Sequence, residues 1–142
     1  MSGTPHSPPP PARPSTILIV EDDAALRRVL ERALVRQGYR VLAAASAETA
    51  YELLASEPAD AVLLDVQLPT MSGLALYLAL VHRHPALAGR IAIMSGDAEA
   101  ENVRAWLQNN PCTVLKKPFD LRQIVEWAKE LLDAPDRRSG NG

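Results

Sequence analysis

Five short apolar runs alternate with amphipathic stretches, and this alternation constrains the fold more than any other feature of the chain. The runs are Thr16 to Val20, Val41 to Ala45, Ala61 to Leu64, Ile91 to Met94 and Thr113 to Leu115. Runs this short and apolar fit strands buried on both faces. Between the first two, Leu26, Val29, Leu30, Ala33 and Leu34 recur at helical spacing, and Gly38 supplies the stop. Ser46 predicts the N-cap of a second helix carrying Ala47, Ala50, Tyr51 and Leu54, and Leu74 to His84, closed by Pro85, predicts a third. Val103, Trp106 and Leu107 mark a fourth. An Asp120 cap opens the last, with Leu121, Ile124, Val125, Ala128, Leu131 and Leu132 on one face. Strand-then-helix units of roughly 20 to 30 residues need right-handed crossovers, which predicts an α/β fold with a parallel sheet covered on both sides. Reacting groups in such sheets gather at the carboxyl ends of the strands, beside the switch in strand order.

A chain of 142 residues with 47% hydrophobic composition has room for one ordinary core. The proline-rich stretch from Pro5 to Pro14 predicts an extended tail over residues 1–14, with a proline-rich docking motif as the functional alternative. A second polar tail is expected over 135–142, leaving a globular unit over 15–134. A net charge of -2 argues against a general nucleic-acid or anionic-membrane binder, which would carry a basic face. Cys112, the lone cysteine, excludes an internal disulfide. Neither a signal peptide nor a membrane-spanning run is legible, so a reducing, cytoplasmic setting is expected.

The chemistry lies at the strand ends. Strand one ends in Glu21-Asp22-Asp23 and strand three in Asp65, so at least three carboxylates should converge at one sheet edge. Left alone they repel, and a hard divalent cation with oxygen ligands relieves the repulsion; Mg²⁺ is the usual choice where a phosphoryl group adds further oxygens. The structural alternative is that the triplet caps helix one, where negative charge meets the helix dipole favourably. Strand four finishes in Ser95-Gly96-Asp97 and strand five runs into Lys117-Pro118-Phe119, whose pre-proline lysine sits in a non-helical dipeptide. A carboxylate nucleophile, a metal, a hydroxyl and a fixed cation are what in-line phosphoryl transfer to an aspartate requires.

Four blocks carry a resemblance: Ile17-Leu18-Ile19-Val20-Glu21-Asp22-Asp23; Leu64-Asp65-Val66-Gln67-Leu68-Pro69-Thr70-Met71-Ser72-Gly73; Met94-Ser95-Gly96; and Lys116-Lys117-Pro118-Phe119. In order, spacing and chemistry the chain resembles the response-regulator receiver domain, over nearly all of 15–134. The resemblance implies a flavodoxin-like doubly wound (βα)5 fold with a sheet of order 2-1-3-4-5. It implies Asp65 as phosphoacceptor, with Mg²⁺ held directly by Asp22, Asp65 and the backbone carbonyl of Gln67, and by Glu21 through water. Ser95 would receive a phosphoryl oxygen in the active state, beside the switch-adjacent Gly96, and Lys117 would pair with the same group. A histidine kinase or histidine phosphotransfer protein would be the donor, and the fourth helix, fifth strand and fifth helix would contact a downstream protein. With no DNA-binding or catalytic region legible after Ala134, the expected output is a protein contact, a further phosphotransfer or a neighbouring polypeptide. The chain would catalyse only its own phosphorylation and dephosphorylation.

Some positions depart from the pattern. Leu68 stands where methionine often precedes the proline, a volume-conserving change. Val114 stands where many receivers carry a switch aromatic, so their gating motion is not implied here. Gln67 and Asp97 occupy variable positions that tune hydrolysis of the acyl phosphate in the family. Among weaker signals, His82 and His84 read as a solvated helix end, and Cys112 as a filler rather than a nucleophile. Trp127 is either an edge filler or a binding anchor. Rival readings fit less well. A haloacid-dehalogenase-like phosphatase needs a second carboxylate where Gln67 stands, and Glu21 to Asp23 would repel the phosphate of a flavodoxin-type cofactor. A degenerate receiver acting only as an interaction module would not need the full acidic set, hydroxyl and lysine.

Overall fold

The most apolar strand lies where both of its faces can be covered. In the computed structural model, which describes residues 13–133, β1 (Thr16–Val20) is buried along its whole length. It pairs in parallel with β2 (Arg40–Ala44) on one side and β3 (Ala61–Asp65) on the other, and β4 (Ile91–Ser95) and β5 (Thr113–Lys116) extend the sheet beyond β3. The order is β2-β1-β3-β4-β5, as the resemblance implied. Among the described residues five α-helices connect or follow the strands: α1 (Ala24–Arg36), α2 (Ala47–Ser56), α3 (Gly73–Arg83), α4 (Ala100–Leu107) and α5 (Leu121–Leu132). The tails expected over 1–14 and 135–142 lie outside the described residues, apart from Arg13 and Pro14.

Alternation of side chains along the strands divides the core into two layers. Leu18, Val20, Val62, Leu64 and Ile93 face α2, α3 and α4, packing with Ala50, Leu54, Leu76, Leu80 and Val103. Ile17, Ile19, Leu63, Ala92 and Met94 face α1 and α5, packing with Leu30, Leu34, Ile124 and Ala128. The expectation that every strand is buried on both faces is corrected for β2 and β5. These are the sheet edges, and apart from Ala44 and Leu115 their apolar residues are only partly covered.

The local signals act as read. Asp23, Ser46 and Asp120 each cap a helix N-terminus with a side-chain oxygen, and Gly38 takes a φ of 94° just after α1, a left-handed geometry that glycine adopts at no steric cost. Strand and helix bounds differ from expectation by about one residue, mostly because ladder hydrogen bonds continue into the polar residue that follows an apolar run.

Candidate functional site

The sheet order reverses at β1, so the loops after β1 and β3 diverge and leave a cleft at their carboxyl ends. An open cavity of about 700 Å³ occupies it, and its walls include Glu21, Asp22, Asp23, Asp65, Gln67, Glu99 and Lys117. Asp65 is the last residue of β3, only 4% exposed, and sits beside Met94 of β4 in the register. The backbone places Lys117 opposite. Its N–H donates to the Ser95 carbonyl at 2.8 Å, immediately before the cis Lys117–Pro118 peptide, and this tie to β4 aims the side chain across the strand ends.

The Lys117 ammonium bridges two carboxylates, donating to Asp65 Oδ2 at 2.8 Å and Glu21 Oε1 at 3.1 Å. Burial works against its charge, but hydrogen bonds and attraction from Asp65 and then Glu21 outweigh that and hold its pKa above the ordinary lysine value. Glu21 is 1% exposed. Desolvation first, and the neighbouring Asp65 next, push its pKa up to about 7, although the Asp23 N–H and Lys117 oppose the rise. Both Glu21 oxygens are engaged, Oε1 by Lys117 and Oε2 by the Asp23 N–H at 3.1 Å. Asp22, by contrast, is exposed at the mouth of the cleft, and its carboxylate makes no hydrogen bond among the described residues.

Glu21, Asp22 and Asp65 each offer a carboxylate oxygen, all within 4.8 Å of one another. Three carboxylates against one ammonium leave net negative charge in a half-enclosed site. All the ligand atoms are hard oxygens, so the set suits a hard divalent cation. Gln67 lines the same cavity, and its N–H donates to Asp65 Oδ1 at 3.0 Å. Asp23 belongs to the helix instead, its Oδ1 accepting from Leu26 N at 3.1 Å. The capping alternative therefore holds for one member of the acidic triplet and not for the other two.

Ser95 is not brought to the cluster. Its hydroxyl donates to the Gly96 carbonyl at 3.2 Å, and it lines a separate cavity of about 270 Å³ with Val103, Leu107 and Val114, between α4 and β5. Two residues had no role in the sequence reading. A Cβ on Gly73 would lie 2.0 Å from the Asp65 carbonyl oxygen, so only glycine lets α3 start so close to the phosphoacceptor candidate. Glu99 joins the cavity wall through a short 3-10 turn, Asp97–Glu99, and accepts the Gly96 N–H at 2.9 Å.

The remaining candidates lie away from the cleft. His82 is exposed and His84 half-buried at the end of α3. Cys112 packs on the core, and burial pushes its thiol up to about 11, which fits a filler. Trp127 packs at the edge of the α1 and α5 core layer. Trp106 meets Tyr77 edge-on, with ring centroids 5.0 Å apart.

Residues 17–129 match the family model described as the response regulator receiver domain. The chain belongs to this family. Receivers are the signalling modules of two-component systems, and phosphorylation and Mg²⁺ binding are typical of them. Among curated relatives, the DNA-binding transcriptional regulator NtrC of Escherichia coli is 34% identical over 109 residues, covering 77% of this chain and 23% of that protein. The sensor kinase CckA of Brucella abortus is 36% identical over 124 residues, 86% of this chain and 13% of that one. The phosphate regulon regulator PhoB of Pseudomonas aeruginosa is 32% identical over 127 residues, 89% of this chain and 54% of that one. This receiver thus spans about half or less of these relatives. A CheY-like receiver domain protein of Methanospirillum hungatei has a similar structure, with a TM-score of 0.76, 28% identity, and coverage of 88% of this chain and 98% of that one. A receiver protein of Sinorhizobium medicae gives a TM-score of 0.71 at 28% identity, covering 85% and 96%. None of the helices among the described residues of this receiver is long and apolar enough to cross a membrane.

Proposed function

We propose that this receiver accepts a phosphoryl group on Asp65 from a histidine kinase or histidine phosphotransfer protein and signals through phosphorylation-dependent protein contacts. The observation that carries the reading is the Lys117 ammonium shared between Asp65 and Glu21, with Asp22 open at the mouth of the same cleft. A Lys117-paired carboxylate on a strand end is fixed in position for in-line attack. An Asp65 oxygen forms the new P–O bond while the P–N bond of the donor phosphohistidine breaks and the imidazole departs. Lys117 then has the phosphoryl oxygens as an additional partner for its charge. Asp22, Asp65 and the Gln67 carbonyl would hold Mg²⁺ directly and Glu21 through water, and the ion would supply neutralising charge to the transferring oxygens. The open Asp22 carboxylate supports its direct role.

In this reading the chain catalyses only its own phosphorylation and dephosphorylation. Output would pass through the face made by α4, β5 and α5, where Ser95 and Val114 share a cavity. Labelling with acetyl phosphate tests the assignment. Wild type should be labelled with Mg²⁺ present and not after chelation, and Asp65→Asn should abolish labelling, because the amide is a poor nucleophile and a weak cation ligand. Undiminished labelling of Asp65→Asn would falsify the assignment.

A further inference from the structure

Glu99 has no part in the acidic cluster, yet it lines the same cavity and controls one of the adjoining loop donors. Its Oε1 accepts the backbone N–H of Gly96 at 2.9 Å. Gly96 directly follows β4, whose Met94 is the register partner of Asp65, so this donor is carried on the strand end next to the phosphoacceptor candidate. A phosphoryl group on Asp65 would add a dianion with strong acceptor oxygens, and Lys117, the only ammonium on the cavity wall among the described residues, is already shared between two carboxylates. Loop N–H groups are the further donors such an anion would recruit. Here a carboxylate holds one of them.

We propose that Glu99 is an internal competitor of the phosphoryl group: it holds the Gly96 N–H while Asp65 is unmodified and must release it before the loop after β4 can close on the phosphoryl oxygens. The inference rests on the reading of Asp65 as phosphoacceptor. Two effects make Glu99 oppose the active arrangement. Its charge adds to those of Glu21, Asp22 and Asp65 around one cavity, which disfavours any further anion there. Its hydrogen bond to Gly96 must also be exchanged for one to the phosphoryl group. Both bonds are charge-assisted, so the exchange is nearly balanced and one side chain can set the threshold. The release would be felt by α4, an eight-residue helix that begins immediately after Glu99 and buries only Val103. Glu99 is thus a positioning residue, acting on the reaction through the Gly96 loop.

A simple helix cap would behave differently, and two substitutions separate the cases. Glu99→Gln keeps an acceptor for the Gly96 N–H and removes the charge; Glu99→Ala removes both. Beryllofluoride, a phosphoryl mimic, is titrated calorimetrically at saturating Mg²⁺. Affinity should tighten roughly threefold to tenfold in Glu99→Ala, the range expected for giving up one competing hydrogen bond, with Glu99→Gln between it and wild type. The Gly96 amide resonance should move when beryllofluoride is added to wild type, and should already be displaced in ligand-free Glu99→Ala. A cap alone would leave Glu99→Gln at wild-type affinity and make Glu99→Ala less stable but no tighter, and that result overturns the competition. Asp65→Asn separates a failure of the competition from a failure of the phosphoacceptor assignment. If wild-type binding does not depend on Asp65, the phosphoacceptor reading fails and Glu99 with it. If binding depends on Asp65 but neither Glu99 variant binds more tightly, the competition alone is wrong.

Discussion

Neighbouring acids at the end of β1 face different surroundings. Glu21 is buried, with both oxygens engaged by Lys117 and Asp23, whereas Asp22 stands open beside Asp65. Removing a direct ligand should cost more than removing one that acts through water. Asp22→Ala should weaken Mg²⁺ binding on the order of 100-fold and Glu21→Ala by about tenfold, the scale typical of outer-shell changes. Equal losses in a metal titration would contradict that division. The acids and Lys117 were legible in the sequence because each ends an apolar run, and parallel strands carry such ends to one edge. Gly73 and Glu99 were not. The close approach of Gly73 to the Asp65 carbonyl is tertiary, and Glu99 reaches the cavity through a 3-10 turn that apolar periodicity does not mark.

Between β4 and α4 lies the loop that would act as the switch in the proposed function. Ser95 turns its hydroxyl to the Gly96 carbonyl and lines the cavity beneath α4 together with Val114, which fills less of that space than an aromatic would. With no aromatic to gate there, coupling should run mainly through the Ser95 loop. Trp106 reports on it well, since it lies on α4, edge-on to Tyr77, with its indole N–H buried and unpartnered among the described residues. Adding beryllofluoride and Mg²⁺ should change tryptophan emission in wild type. Ser95→Ala should reduce the change while leaving Mg²⁺ binding nearly intact; a wild-type response at saturating ligand would show that the hydroxyl is not the coupling element. The elements themselves were readable to within about a residue, because caps such as Ser46 and Asp120 announce helix starts. The half-covered faces of β2 and β5 were not, since an apolar run does not reveal whether its strand has a neighbour on each side.

At the scale of the whole molecule, one sheet with a core layer on each face holds four strand ends rigidly enough for chemistry. α1 and α5 cover one layer and α2, α3 and α4 the other, and Met94, the register partner of Asp65, packs in the α1 and α5 layer. The proposed mechanism depends most directly on which residue carries the phosphoryl group. After phosphorylation with acetyl phosphate and Mg²⁺, borohydride reduction converts an acyl phosphate on aspartate to homoserine, which peptide mass mapping locates. Homoserine is expected at position 65, with every other aspartate and glutamate unreduced. Homoserine at position 22 instead, hydroxynorvaline at position 21, or a stable label that survives reduction unchanged would rule out Asp65 as the acceptor.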